Sequence, residues 1–258
     1  MEYKSQDIID FFDSIAPPDK KDEWDHVGLM VGGRKADVTG VVLALDCTHQ
    51  AIALCEKTGA NFLFTHHPLF FPSISSIEKE EEKGSLVYSL IQKNITVYAA
   101  HTNLDRVDNG VNDALARKLR LFDFHPFKEN EIGVVGYFRE EKSLFSLIKD
   151  MKAALGASGF FINRDTDRDV EKVFVSGGAF EGDNIEELRE AGIHLVISGE
   201  IHHHHMLSLH SYGIAALSLG HDVTERVILP ELENSIKEAL PGLSVAVDRG
   251  LSYENIVI

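Results

Sequence analysis

Histidine is the residue type to start from. The chain has 13 of them in 258 residues, and several stand where an apolar run ends. FLFT is followed at once by His66 and His67, in THHPLFF (65–71). TVYAA is followed by His101, with Asp105 four residues on. LVISG is followed by Glu200, and ALSLG by His221, with Glu225 four residues on. Imidazole and carboxylate together make a borderline donor set, suited to zinc, iron, manganese, cobalt or nickel. Adjacent side chains in extended or turning backbone point apart, so His66 and His67 are expected to serve two ions more easily than one. A histidine and an acid four apart share one face if a helical turn follows the strand. Taken singly, a strand-end histidine is usually a hydrogen-bonded structural residue. The signal is the HHP pair together with two His-x-x-x-acid motifs.

Other residues carry less. His202–His205 are four histidines in a row, inside the chain and ahead of a helix pattern MLSLHSYG, and a solvated rim position is expected for them. His26, His49, His125, His194 and His210 have no partnered spacing and read as structural. Asp25, in WDHVGLMVG (24–32), could orient a ligand histidine; structural roles are favoured for it and for Trp24, Gly28 and Gly32. The glycines of SGGAF (176–180) read as a tight turn before a helix, not as a phosphate loop, because no GxxxxGK[ST] is present. Cys47 and Cys55 are too few for a disulfide framework. They suit a reducing compartment, so the cytoplasm is expected.

The elements that must position these side chains repeat. From Val41, the chain reads as a strand, a helix over 51–57, a stop at Gly59 and a strand over 61–65. From Lys172, it reads as a strand over 173–175, a helix over 185–189, a stop at Gly192 and a strand over 194–197. ITVYAAHTNLDRV from Ile95 then matches IAALSLGHDVTERV from Ile214, pairing His101 with His221, Asp105 with Glu225 and Arg106 with Arg226. The expectation is an α/β fold of two similar α/β halves, arisen by internal duplication, with largely parallel strands. Sites in such sheets form beyond the carboxyl ends of the strands, which is where the four features fall. The halves are placed at 1–125 and 131–258, with HPFKEN (125–130) as linker and the C-terminal strands of LSVAVDRGLSYENIVI returning to the first half. Ile8, Ile9, Phe11, Phe12 and Ile15 mark an N-terminal surface helix.

Composition excludes several classes. A hydrophobic fraction of 44% supports a packed core and rules out disorder. The 41 acidic against 25 basic residues leave a net charge of −16. That argues against nucleic acid and against an anionic membrane surface, both of which need clustered Lys and Arg. Apolar runs are strand-sized, far short of the ~20 residues of a spanning helix.

WDHVGLMVG, THHPLFF, HTNLDRVDNGVND (101–113), SGE (198–200) and GHDVTER (220–226) occur in the order found in the NGG-one-interacting-factor-three-like family, also known as GTP cyclohydrolase type 2 homologues. The chain resembles that family over nearly its whole length. It departs from the family pattern at His26, where asparagine is usual, and in the four-histidine run. The resemblance implies a dinuclear centre between the two halves, holding two divalent metal ions per chain, with ligands on His66, His67, Asp105, His221 and Glu225. His101 would be a sixth ligand or a proton shuttle, and the assembly a ring-shaped homohexamer. The function implied is a metal-dependent hydrolase acting on a nucleotide or other small phosphorylated substrate. The alternative is a non-catalytic metal-binding scaffold or partner-recruiting protein. Arg106 and Arg226 would then either bind phosphate or form structural ion pairs.

Overall fold

The computed structural model of the protein describes residues 2–129, 131–157, 159–164 and 166–250. The chain is α/β and divides into two compact units. Among the described residues, one comprises 2–107 with 229–250 and the other 108–228.

In chain order the first unit begins with β1 (Tyr3–Lys4), α1 (Ser5–Ile15), β2 (Gly28–Val31), β3 (Asp37–Val38), β4 (Val41–Ala44), α2 (His49–Thr58), β5 (Phe62–Thr65), α3 (Glu82–Gln92), β6 (Thr96–Ala99) and α4 (Thr102–Arg106). Strands β4, β5 and β6 run parallel side by side, with β2 antiparallel on the β6 edge. Every residue of VVLA, FLFT and TVYA in these strands is buried. Burial on both faces is what makes such strands read as continuous apolar runs instead of alternating ones. Helix α1 buries Ile8, Ile9 and Phe12, the three- and four-residue spacing of one helical face. Phe12 stacks on Phe64 of β5 at 4.3 Å and on Tyr98 of β6 at 5.5 Å. Helix α2 starts where the Thr48 hydroxyl accepts from Ala51 N–H at 3.1 Å. It stops at Gly59, whose φ of 72° is left-handed and costs glycine nothing.

The second unit contains α5 (Val111–Lys118), β7 (Phe122–Pro126), β8 (Val134–Ser143), α6 (Leu144–Leu155), β9 (Phe161–Ile162), β10 (Asp169–Phe180), α7 (Ile185–Glu190), β11 (Leu195–Ile201), α8 (His203–Ser211), β12 (Ala215–Ser218) and α9 (His221–Glu225). Its sheet has the order β7-β8-β10-β11-β12-β9. The central β10, β11 and β12 are parallel, and β8 and β9 add antiparallel. Leu144, Leu147, Ile148 and Met151 of α6 pack with Val173, Val175, Leu195, Ile197, Ala215 and Leu217 in one core cluster. The chain then enters α10 (Ile228–Ala239) and β13 (Val245–Val247). Strand β13 pairs parallel with β4, Val245 opposite Val41, and extends the first unit's sheet. The return of the C-terminal strands is therefore seen as far as β13; residues 251–258 of the expected tail lie outside the described residues.

Two expectations are corrected here. HPFKEN does not begin as a linker, because 122–126 is a strand paired with β8, His125 opposite Val135. Its residues are mostly exposed, and an exposed edge strand ending in proline has a linker's composition. The change of unit falls at 107–108 instead. SGGAF is not a turn either. It is the end of β10, which stays paired with β11 across a register shift between Ser176 and Ala179, and the helix begins only at Ile185. Among the described residues no helix is long and apolar enough to cross a membrane.

Candidate metal centre

The first unit gathers three imidazoles at the carboxyl ends of β5 and β6. The chain leaves β5 at Thr65 and bends through His66 and His67. It leaves β6 at Ala99, and His101 caps the five-residue helix α4. One ligand atom from each of His66, His67 and His101 lies within 4.8 Å of the other two. The divergence expected of neighbouring His66 and His67 is thus not found. The bend after β5 brings their rings to a centroid separation of 5.1 Å.

Each ring is oriented through Nδ1. His66 Nδ1 lies 2.9 Å from the Ala100 carbonyl oxygen. His67 Nδ1 lies 2.8 Å from Asp46 Oδ1, and His101 Nδ1 lies 3.0 Å from Asp25 Oδ1. This leaves Nε2 as the nitrogen each ring can present to an ion. Carboxylate or carbonyl partners on the far nitrogen are the usual way a ligating histidine is fixed in tautomer and angle. Asp105, on α4, brings Oδ1 to 3.6 Å from His66 Nε2. Two donors each about 2.1 Å from one ion stand about 3–3.5 Å apart at right to tetrahedral angles. The observed gap is within a few tenths of an ångström of that.

Asp25 is 2% exposed. Its Oδ2 accepts from Thr102 N–H at 3.1 Å and from Thr102 Oγ1–H at 2.6 Å. Burial works against its charge, but the hydrogen bonds from His101 and Thr102 outweigh it and hold the carboxyl well below the usual carboxylate range. Of the two roles weighed for Asp25, orienting a histidine is the one the geometry shows. Trp24 does not pack inside: it is 50% exposed, tilted against Phe71 at 5.4 Å and edge-on to His101 at 5.9 Å. Gly32 does have a steric reason, since at φ 104° any Cβ would meet Thr96 Oγ1 at 2.6 Å.

The second unit presents His221 and Glu225 on one face of α9, with Nε2 to Oε1 at 3.2 Å. Glu225 is 4% exposed. Glu200, at the end of β11, brings Oε2 to 3.5 Å from His221 Nδ1. Two glycines let α9 sit this low on the sheet, and a third makes room for α5. A Cβ on Gly178, whose φ is 62°, would overlap Glu225 Oε1; one on Gly199 would meet Thr224 Oγ1 at 2.6 Å and His221 Cα at 2.7 Å. One on Gly177 would press on Val111 at 2.8 Å. Gly178 N–H also donates to Thr224 Oγ1 at 3.1 Å. Gly178 and Gly199 therefore make room for a helix that carries donors.

The remaining sequence candidates fall elsewhere. Arg106 donates to Asp22 Oδ1 at 2.7 Å and to the Lys20 carbonyl at 3.2 Å; Arg226 donates to Asp222 Oδ2 at 2.5 Å. Of the two roles left open for these arginines, the ion pairs are the one seen. His202 caps α8, whose first turn is His203–His205; His202, His203 and His204 are exposed and His205 partly so. His49, His194 and His210 bond to Ser85, to backbone N–H groups of 171–172 and to the Asn163 carbonyl. Cys47 and Cys55 are buried, and burial first of all pushes both thiols to about 12, far from the thiolate form that binds metal. Sequence reading passed over Asp46. Its signal was available, because it follows β4 at the same sheet edge as His66 and His101.

The chain matches the Duf34/NIF3 (NGG1p interacting factor 3) family over residues 3–250. It is 33% identical over 243 residues to a GTP cyclohydrolase 1 type 2 homolog of Clostridium perfringens, covering 92% of each chain. Reduced HcgD from Methanocaldococcus jannaschii superposes with a TM-score of 0.83 at 28% identity, over 96% of this chain and 98% of that one. A Bacillus cereus protein related to NIF3 superposes with a TM-score of 0.89 at 19% identity over 99% of both, which shows a shared fold. With its motifs in family order and that match along nearly its whole length, the chain belongs to the Duf34/NIF3 family.

Proposed function

We propose that this chain is a hydrolase that holds two divalent metal ions and acts on a nucleotide or other small phosphorylated substrate. The observation that carries the reading is the convergence of His66, His67 and His101 within 4.8 Å, each ring tied back through Nδ1. Asp105 joins that set from α4, and His221 and Glu225 supply an imidazole and a carboxylate from α9. Histidine and carboxylate donors without thiolates suit zinc, iron, manganese, cobalt or nickel. Two such ions, when bound, lower the pKa of a shared water and polarise a substrate oxygen.

The protein's own part is to fix the donors before any ion arrives. Asp25 and Asp46 hold His101 and His67 in the tautomer that offers Nε2, and the Ala100 carbonyl does so for His66. With Nδ1 held by the Asp25 carboxylate at 3.0 Å, His101 would present Nε2 as the atom that passes a proton when it faces substrate and not metal. The name GTP cyclohydrolase 1 type 2 homolog, carried by relatives, suggests one reaction of this kind: water attacks an imidazole carbon of the purine and the ring opens.

The second reading is a non-catalytic metal-binding protein that recruits a partner. It is favoured by the half-exposed, touching pair Trp24 and Phe71, an apolar surface beside the histidines. A homohexamer in the cytoplasm goes with either reading, and sedimentation tests the assembly. The deciding experiment is turnover. Metal-stripped protein is reloaded with each of the five metals and offered GTP and a panel of phosphate esters. Hydrolysis that needs metal and is lost in His66→Ala supports the hydrolase; saturable metal binding with no turnover on any substrate turns the choice to the recruiting protein.

A further inference from the structure

We propose that His202, His204 and His205, at the start of α8, form a separate binding site for one divalent ion of the borderline class, such as zinc, nickel or copper. Three ring contacts define it. His204 and His205 lie 4.0 Å apart between centroids, His202 and His204 5.7 Å, and His202 and His205 5.9 Å. The ring centroids are about as close as those of His66, His67 and His101, which stand 5.1, 5.2 and 5.6 Å apart. The donor atoms of His202, His204 and His205 are not gathered within 4.8 Å as those are, so the exposed rings must turn to close the site.

His205 is the anchored member. Its ring lies against Gly182, where any Cβ would overlap it, and stands edge-on to Phe180 at 5.7 Å. A ring N–H is directed at the Phe180 carbonyl, while Nδ1 is buried and makes no hydrogen bond. A ring fixed by one nitrogen on a backbone carbonyl, with a lone pair on the other, is how a ligating imidazole is prepared. Burial first, then the neighbouring His204 and His202, lowers its pKa, which keeps it in the neutral form that binds metal. His202 and His204 are exposed, so their rings can turn to place a nitrogen about 2.1 Å from an ion held by His205. The positive end of α8 opposes a cation. Asp183, close enough to act on His205, opposes that penalty.

The test titrates Zn²⁺ into metal-stripped, untagged wild type and into His202→Gln/His204→Gln/His205→Gln by calorimetry, with circular dichroism to confirm both are folded. The inference predicts one saturable ion fewer per chain in the variant. The milder His202→Gln/His204→Gln, which leaves the anchored ring in place, should weaken that ion by about tenfold or more. Equal stoichiometry in wild type and variant, or a difference only in non-saturable uptake, overturns it. The readout is a difference between two chains, so it is independent of the hydrolase reading. A wild type that binds no ion at His66, His67 and His101 would remove that reading and leave this test intact.

Discussion

The two strand-to-helix corners, His101–Asp105 and His221–Glu225, are built alike and finished differently. Each follows the last of the parallel strands on its side of the sheet, β6 in one unit and β12 in the other. Each opens a five-residue helix with histidine at the start and an acid four positions on. At the first corner the surroundings are imidazole-rich, and acids remote in sequence from the rings they hold, Asp25 and Asp46, orient them. At the second the surroundings are rich in glycine, which brings Glu225 down onto the sheet beside His221, with Glu200 on the other ring nitrogen. The same corner can thus be specialised in two ways: by adding partners that fix a ring, or by deleting side chains so that a carboxylate fits. Orientation at the first corner rests on a buried carboxylate, Asp25, and an exposed one, Asp46, and proximity is gained at the second by the absence of Cβ atoms.

That contrast can be broken in graded steps. The largest effect belongs to His66→Ala, which removes a fully buried donor from the imidazole corner. Bound metal should fall by at least half, with affinity down about 100-fold or more, measured by competition with a chromogenic chelator. Asp25→Asn comes next. It keeps the ring's neighbour but removes the charge, and a loss of about 10–100-fold in affinity is expected; an unchanged affinity would mean that orientation at this corner does nothing. Gly178→Ala tests the other mechanism. Overlap with Glu225 Oε1 and a φ of 62° should cost about 1–3 kcal/mol, seen as a few degrees in Tm, while Gly59→Ala, with open space around it, should show only the strain of its positive φ. The smallest effect is expected from Arg106→Ala/Arg226→Ala. Partly exposed ion pairs contribute about 0–1 kcal/mol, and nucleotide affinity should be nearly unchanged. A large drop in that affinity would instead give the arginines a role in phosphate binding.

Much of this was legible in the sequence. Continuous apolar runs gave the buried parallel strands, and glycine after a periodic segment marked the ends of α2 and α7. His-x-x-x-acid after an apolar strand located both corners, because a four-residue step means one face only if a helical turn follows. What stayed hidden depends on long-range contact. Asp25 and Asp46 are remote in sequence from the histidines they hold, and nothing local distinguishes an orienting aspartate from a surface one. SGGAF reads as a turn because glycine usually breaks strands; Gly178 is set by Glu225 of α9 and Gly177 by Val111 of α5, both remote in sequence. The edge strand β7 was mistaken for a linker because edge strands with exposed polar residues and proline share a linker's composition.

The central claim is that the donors of these corners hold metal. Its most direct test is elemental analysis of untagged protein, first dialysed against a weak chelator that clears ions held only by the exposed His202–His205 run, beside the His66→Ala/His221→Ala double variant. The account predicts about two divalent ions per chain in the wild type and almost none in the variant at unchanged fold. Wild type that arrives without metal and takes none up on reloading, or a double variant that keeps the wild-type content, would contradict it.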